Sequence, residues 1–239
     1  MKRIWALGFV ALSSLSVWGQ ATYSLRPSVE GFSALTIGVL TAVNIPLQAN
    51  LDGLTLAELD ALSEDDVPIW DRYPLGRWDE SAINRSDVTT YGALGLGAAS
   101  ALRVDDFSQT MVLGTLWVEA NLLNGMGTYV VKHSTRRIRP YAFGDTAPLE
   151  ERMSPDARTA FFSGHTSVTA MNTFFAATVY SQTHPDSPWV PWVWTAAAVV
   201  PAYTAWQRVE AGKHYPSDVV AGYVFGAVIG YLIPTIHLD

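Results

Sequence analysis

With 239 residues, 49% of them apolar and only 15% charged, and nine tryptophans, the chain can build one substantial core and shows no sign of two. Its composition lies between a soluble globular domain and a multi-span membrane protein. A formal net charge of -7 excludes a general nucleic-acid binder, and the absence of cysteine excludes disulfides, thiolate nucleophiles and cysteine metal sites.

The first predicted element is a signal-like segment over residues 1–21. Lys2 and Arg3 precede an uncharged apolar run from Ile4 to Val17, and the small Gly19 or Ala21 can mark a cleavage site. The segment reads as a bacterial export signal or, if uncleaved, a signal anchor. Six later stretches are apolar and nearly free of charge: residues 31–51, 88–102, 107–131, 165–181, 189–207 and 219–236. Each is about long enough for a helix that fills or nearly fills a bilayer, for which roughly 20 residues are needed. The weakest is 88–102, which is short and rich in Gly and Ala. Glu119, Asn121 and Asn124 within 107–131 require one face of that helix to look into protein or water. No strand-like alternation persists, so the fold class is all-α.

Between the first two helices lies a connector, 52–87, that holds ten of the 22 carboxylates. Thr55 and Glu58 form a capping-box pattern, and Leu56, Leu59 and Leu62 fall on one helical stripe. This predicts a short amphipathic helix and then a loop with Pro and Trp, solvated and lying along a membrane surface or over the bundle.

Three short pieces carry chemistry. KHSTRRIRP follows an apolar helix and supplies Lys132, Arg136, Arg137 and Arg139; alone, these cations suit a helix C-terminus and anionic headgroups. In FFSGHTS, Ser163 is an N-cap, Gly164 opens the next helix to an anion, and His165 falls in its first turn. In RVEAGKHYPSD, Pro216 begins the last helix, with His214 at its mouth and Asp218 just inside. An aspartate so placed can accept from one imidazole nitrogen and leave the other with a free lone pair, which prepares a nucleophile. Arg208 offers a planar, always protonated fork to phosphate oxygens. Together they hold what phosphoryl transfer through a histidine requires: cations for the equatorial oxygens, a nucleophile, and a second histidine for the leaving group.

The three pieces resemble the signature of the type 2 phosphatidic acid phosphatase superfamily, KxxxxxxRP, then PSGH, then SRxxxxxHxxxD. Lys132 to Asp218 match it with both internal spacings intact; Phe162 replaces its proline and Gln207 its serine. The resemblance implies a six-helix bundle of the acid phosphatase and vanadium-dependent haloperoxidase type, with 22–106 supplying N-terminal helices and 107–239 the catalytic helical core of one domain. It implies that His214 attacks phosphorus, that Asp218 orients it, and that His165 protonates the leaving oxygen. Lys132, Arg139, Arg208 and the amides of Ser163 and Gly164 would hold the phosphate, with no metal or other cofactor. The expected substrate is a lipid phosphate or another organic phosphate, and membrane lipids are the expected surroundings. A soluble exported acid phosphatase, a vanadate-dependent haloperoxidase and a phospholipid binder without turnover are the rivals.

An antiparallel bundle brings the three pieces to one face. If three helices span between residue 21 and the first piece, that face is cytoplasmic; if 88–102 does not span, it is periplasmic. Leaving 88–102 out predicts a bacterial inner-membrane protein with a periplasmic site, or else a soluble periplasmic one.

Overall fold

The computed structural model describes residues 21–103 and 106–239, and the signal-like segment up to Gln20 lies outside them. In chain order the helices are α1 (Pro27–Ala49), α2 (Leu56–Asp60), α3 (Glu80–Ser100), α4 (Phe107–Thr135), α5 (Leu149–Arg152), α6 (Gly164–Thr183), α7 (Val190–Glu210) and α8 (Pro216–Ile236). Among the described residues there is no strand, only an isolated bridge between Tyr23 and Leu238 that ties the two ends of the chain. α2 and α5 are single turns. The other six have 20 residues or more, about 30 Å at 1.5 Å per residue.

The long helices begin where local chemistry satisfies or removes their first amides. Asp79 caps α3 through Ser81 and Ala82, Asp106 caps α4 through Gln109, and Ser163 caps α6 through Thr166. α1, α7 and α8 carry proline in the first turn.

Side-chain pairs fix the directions. Asn44 late in α1 meets His133 late in α4, so these helices run parallel. Thr90 of α3 meets Thr169 of α6, each early in its helix, whereas Thr89 meets Thr204 near the end of α7. Helices α1, α4 and α7 therefore end, and α3, α6 and α8 begin, at one end of the bundle. That end gathers the three pieces.

α6 is the central helix, packed against α3, α4, α7 and α8. Its closest neighbour is α8, where Gly222, Gly226 and Gly230 repeat every four residues. A Cβ at any of them would collide with the main-chain oxygens of Ser163, Ser167 and Met171 respectively. Small residues at this spacing let two backbones approach, which favours helix packing in an apolar solvent.

The interior combines an apolar cluster around Leu113, Leu116, Met171 and Phe175 with buried polar pairs, and the helices carry many apolar side chains on their outer faces. Ser167 donates to Asn124 at 2.5 Å, Trp117 Nε1 to Asn172 at 2.8 Å and Thr173 to the carbonyl of Ala197 at 3.0 Å, each linking two helices. Phe32 and Leu35 of α1, Val88 of α3, Trp192 of α7 and Val220 of α8 face outward. α1 and α8 are long and apolar enough to cross a membrane.

Two sequence expectations change. Residues 88–102 are the lower part of α3, which starts eight residues earlier at Glu80 and spans 21 residues. Its first turns carry the polar Ser86 and Asp87, which reach Arg208 and His165. The described residues thus hold six helices of 20 residues or more, α3 among them, although only α1 and α8 are long and apolar enough to cross a membrane. Likewise the acidic connector is more than a solvated link. Thr55 and Glu58 do form the capping box, and Leu59 is buried, but Asp71 is only 1% exposed and its carboxylate is built into the end of the bundle.

Candidate active site

The end of α4, the loop behind it, the start of α6 and the junction of α7 and α8 line one pocket of about 970 Å³. Lys132, Arg139, Gly164, His165, Arg208 and His214 all line it, as do Asp87 and Asp156.

His214 is buried in the short α7–α8 turn. Its Nδ1 lies 2.7 Å from the carbonyl oxygen of Ala160, an acceptor only, so Nδ1 carries the proton and Nε2 keeps the lone pair. Burial first, then the charges of Arg139, Lys132 and Arg208, push this imidazole well below its ordinary pKa. It is neutral at pH 7.

The hydrogen bond expected from His214 to Asp218 is not formed, because Nδ1 is taken by the Ala160 carbonyl. Asp218 Oδ2 stands 3.6 Å from Nδ1 and accepts from the Tyr215 amide at 2.8 Å, while Oδ1 accepts from Arg137. The main chain competes successfully because Pro216 starts α8 and turns the Asp218 carboxylate back onto the cap residue. Arg137 in turn reaches Asp71 at 2.8 Å and lies over the Tyr215 ring. These groups buttress the α8 start rather than line the pocket.

The three expected cations converge. Lys132 Nζ donates to the Thr159 carbonyl at 2.5 Å. Arg139 is gripped by the Asp156 carboxylate at 2.7 Å, Thr159 Oγ1 at 3.1 Å and the Lys213 carbonyl at 3.0 Å. Arg208 is held by Ser86 Oγ at 3.1 Å, and its buried Nε has no protein partner. A buried guanidinium N–H left open beside a second arginine and a lysine is a donor waiting for an anion. Burial would raise the Asp156 carboxyl, but Arg139, the Thr159 hydroxyl and the two nearby lysines outweigh it and hold it at about 2.

Of the two α6 amides expected to hold phosphate, only Gly164 lines the pocket. The Ser163 amide donates to the main-chain oxygen of Asp218 at 3.1 Å, so that role is corrected; the close approach of α6 and α8 at Gly222 consumes it. Ser163 instead acts through its hydroxyl, as the cap. At Gly164 a Cβ would meet Thr128 and Lys132 at 3.6 and 3.7 Å, ordinary contacts, so glycine there keeps open a space beside Lys132.

His165 Nε2 lies 2.8 Å from the Asp87 carboxylate. Sequence reasoning missed Asp87, although a lone carboxylate next to an apolar run, with Thr90 and Leu94 on the same helical face, was a signal. It missed Ser86 and Asp156 as well. Both departures from the signature have a structural partner: Gln207 Oε1 accepts from Arg85 at 2.7 Å, and Phe162 packs on Phe225 with ring centroids 4.9 Å apart.

A bundle of six long helices with two imidazoles, three cations and a helix N-terminus in one pocket defines an all-α enzyme that handles phosphate. The chain belongs to the PAP2 superfamily, whose family model matches residues 113–239, more than half its length. Members of that superfamily are phosphatases acting on organic phosphate esters. No curated protein and no solved structure matches the chain. The match begins within α4, so Ser86 and Asp87 come from a helix outside it.

Proposed function

We propose that the protein hydrolyses a lipid phosphate monoester or pyrophosphate through a phosphohistidine on His214. The observation that carries this reading is the buried set of His214, Lys132, Arg139 and Arg208 around one pocket, with the Arg208 Nε unpaired. His214 Nε2 attacks phosphorus while Nδ1 keeps its proton and donates it to the Ala160 carbonyl, and the cations take the charge that grows on the equatorial oxygens. His165, whose Nε2 donates to Asp87, serves the departing oxygen as an imidazolium: it gives up a second proton from Nδ1 and keeps the one on Nε2. The same imidazole then takes a proton from water, which attacks the phosphohistidine and releases phosphate. Asp218 supports this chemistry as a negative charge near Nδ1 and as the anchor of the α8 start.

The lipid preference rests on the pocket's lower part. It continues between α3 and α4, which scarcely touch, along Thr90, Tyr91, Leu94, Gly125 and Tyr129. A seam with that lining admits an alkyl chain from the side while the phosphate stays at the cations. The outward apolar faces of the bundle suit a bacterial inner membrane. Because α1, α3 and α4 intervene, Ala21 lies at the opposite end from the site. A periplasmic site then requires Ala21 on the cytoplasmic side, and export of Ala21 gives a cytoplasmic site.

The test is phosphate release by the purified chain from a long-chain lipid phosphate, an isoprenyl pyrophosphate and a soluble ester. Preference for the soluble ester, with no requirement for detergent, would establish the exported acid phosphatase instead. Activation by vanadate in peroxide and halide would establish the haloperoxidase. Sidedness follows from thiol labelling of a single cysteine placed at Ser134, since the chain has none of its own.

A further inference from the structure

At the opposite end from the phosphate pocket, Glu30 of α1, Glu119 of α4 and His237, just beyond α8, bring two carboxylates and an imidazole together. One ligand atom from each lies within 4.8 Å of the others. Glu119 is 7% exposed, and both its oxygens are buried without a well-formed hydrogen bond; the Ser33 hydroxyl and the Glu30 carboxylate are its nearest polar neighbours. A carboxylate with no well-formed hydrogen bond on either oxygen, facing a second carboxylate, is costly in an apolar bundle. His237 is fully buried. Its Nδ1 donates to the Ile233 carbonyl at 2.8 Å, which directs the Nε2 lone pair to Glu30 Oε1, also at 2.8 Å. Two acceptors then face each other, and a proton or a cation must lie between them.

We propose that Glu30, Glu119 and His237 bind a divalent cation of the zinc type. A cation there meets one oxygen of Glu119, one of Glu30 and the Nε2 lone pair at once. Histidine with its second nitrogen on a main-chain carbonyl is the usual state of a metal-bound imidazole. Three protein ligands, one of them nitrogen, suit zinc with a water in the fourth position and do not suit calcium or magnesium, which take six or more oxygens. Among the described helices α1 packs mainly on α4, and its buried residues are Ser33 and Asn44. An ion would fasten this outlying helix to α4 and to the chain end, where the Ser24 amide bonds the His237 carbonyl and Arg26 the Leu238 carbonyl.

The inference is independent of the phosphatase reading, and its test keeps the two apart. Because the phosphate pocket also offers imidazoles, zinc retention is measured by elemental analysis after gel filtration on the full chain carrying His165→Ala and His214→Ala. One zinc per chain is expected, and it should be lost when Glu119→Gln or His237→Ala is added. Added zinc should raise Tm by about 5–10 °C at roughly 100 times its Kd, and magnesium should not. Cobalt(II) in the same double variant should give the intense visible bands of a four-coordinate ion, a readout that does not depend on whether Glu119→Gln folds. Absence of retained zinc, retention undiminished by both distal substitutions, or only the weak bands of six-coordinate cobalt overturns the proposal.

Discussion

The two ends of the bundle hold the same imidazole in opposite fields. At His214 and at His237 alike, Nδ1 lies on a main-chain carbonyl, at 2.7 Å from Ala160 and 2.8 Å from Ile233, and Nε2 is left with the lone pair. Around His214 stand Lys132, Arg139 and Arg208; around His237 stand Glu30 and Glu119. The first Nε2 meets cations and can turn only toward an anion's electrophilic centre. The second meets carboxylates and can turn only toward a cation. The tautomer is set locally in both places, but what the nitrogen does is set by neighbours drawn from distant parts of the chain.

The largest break in this comparison is His214→Ala, which should lower phosphate release by 10³-fold or more through loss of the covalent step, on the order of what nucleophile removal costs elsewhere. His237→Ala should leave turnover within about twofold, since charge at that distance is screened and nothing there touches substrate. Steady-state release assays on both variants measure the contrast; comparable losses would dissolve it.

His165→Ala comes next. The expected loss is about 10²–10³-fold with alkyl phosphates and much smaller with p-nitrophenyl phosphate, whose leaving oxygen needs no proton. Asp87→Asn should reproduce that leaving-group pattern at roughly a tenth of the size, because it weakens the hold on Nε2 and leaves the imidazole in place. Equal losses on both esters would mean that neither residue serves the proton.

Arg208→Lys keeps the charge and loses the fork. Turnover should fall about 10²-fold, with vanadate inhibition weakened in parallel, because both sample the same contacts. A variant that turns over poorly but binds vanadate normally would move Arg208 out of the phosphate site and leave it as a brace against Ser86.

The smallest effect is in pH. His214 titrates well below the ordinary imidazole value, mainly through burial and then its cation neighbours, so it stays unprotonated as pH falls through about 6.5. In kcat/KM the acid limb should therefore lie well below that value. Neutralising Arg139 or Arg208 removes a charge that opposes protonation, so the limb should move upward in pH. An acid limb near 6.5 in the wild type would show that the cations do not act on the nucleophile.

Much of this was legible along the chain. Helices were readable because apolar runs, N-caps and first-turn prolines act within a few residues of where they occur, and the three pieces were readable because each is contiguous. Fixed spacings such as Lys132 to Arg139 or His214 to Asp218 survive folding as local geometry. The convergence of Lys132, Arg139, Arg208, His165 and His214 was legible too, but the hydrogen-bond partner that several of the groups take was not. Asp218 was expected on His214, but a carboxylate has two oxygens and several donors nearby, and the Tyr215 amide and Arg137 claimed them. The Ser163 amide was expected on phosphate, but Gly222 brings α8 close enough to take it. Asp87 looked like the last of an acidic connector until α3 packed beside α6 and set it against His165, 78 residues away. Sequence determined the helices, their ends and the inventory of reactive groups, because those depend on short-range propensity and capping. Only the tertiary structure decided the partners, because hydrogen bonds are short and competitive, and the competitors arrive from helices that the chain separates by tens of residues.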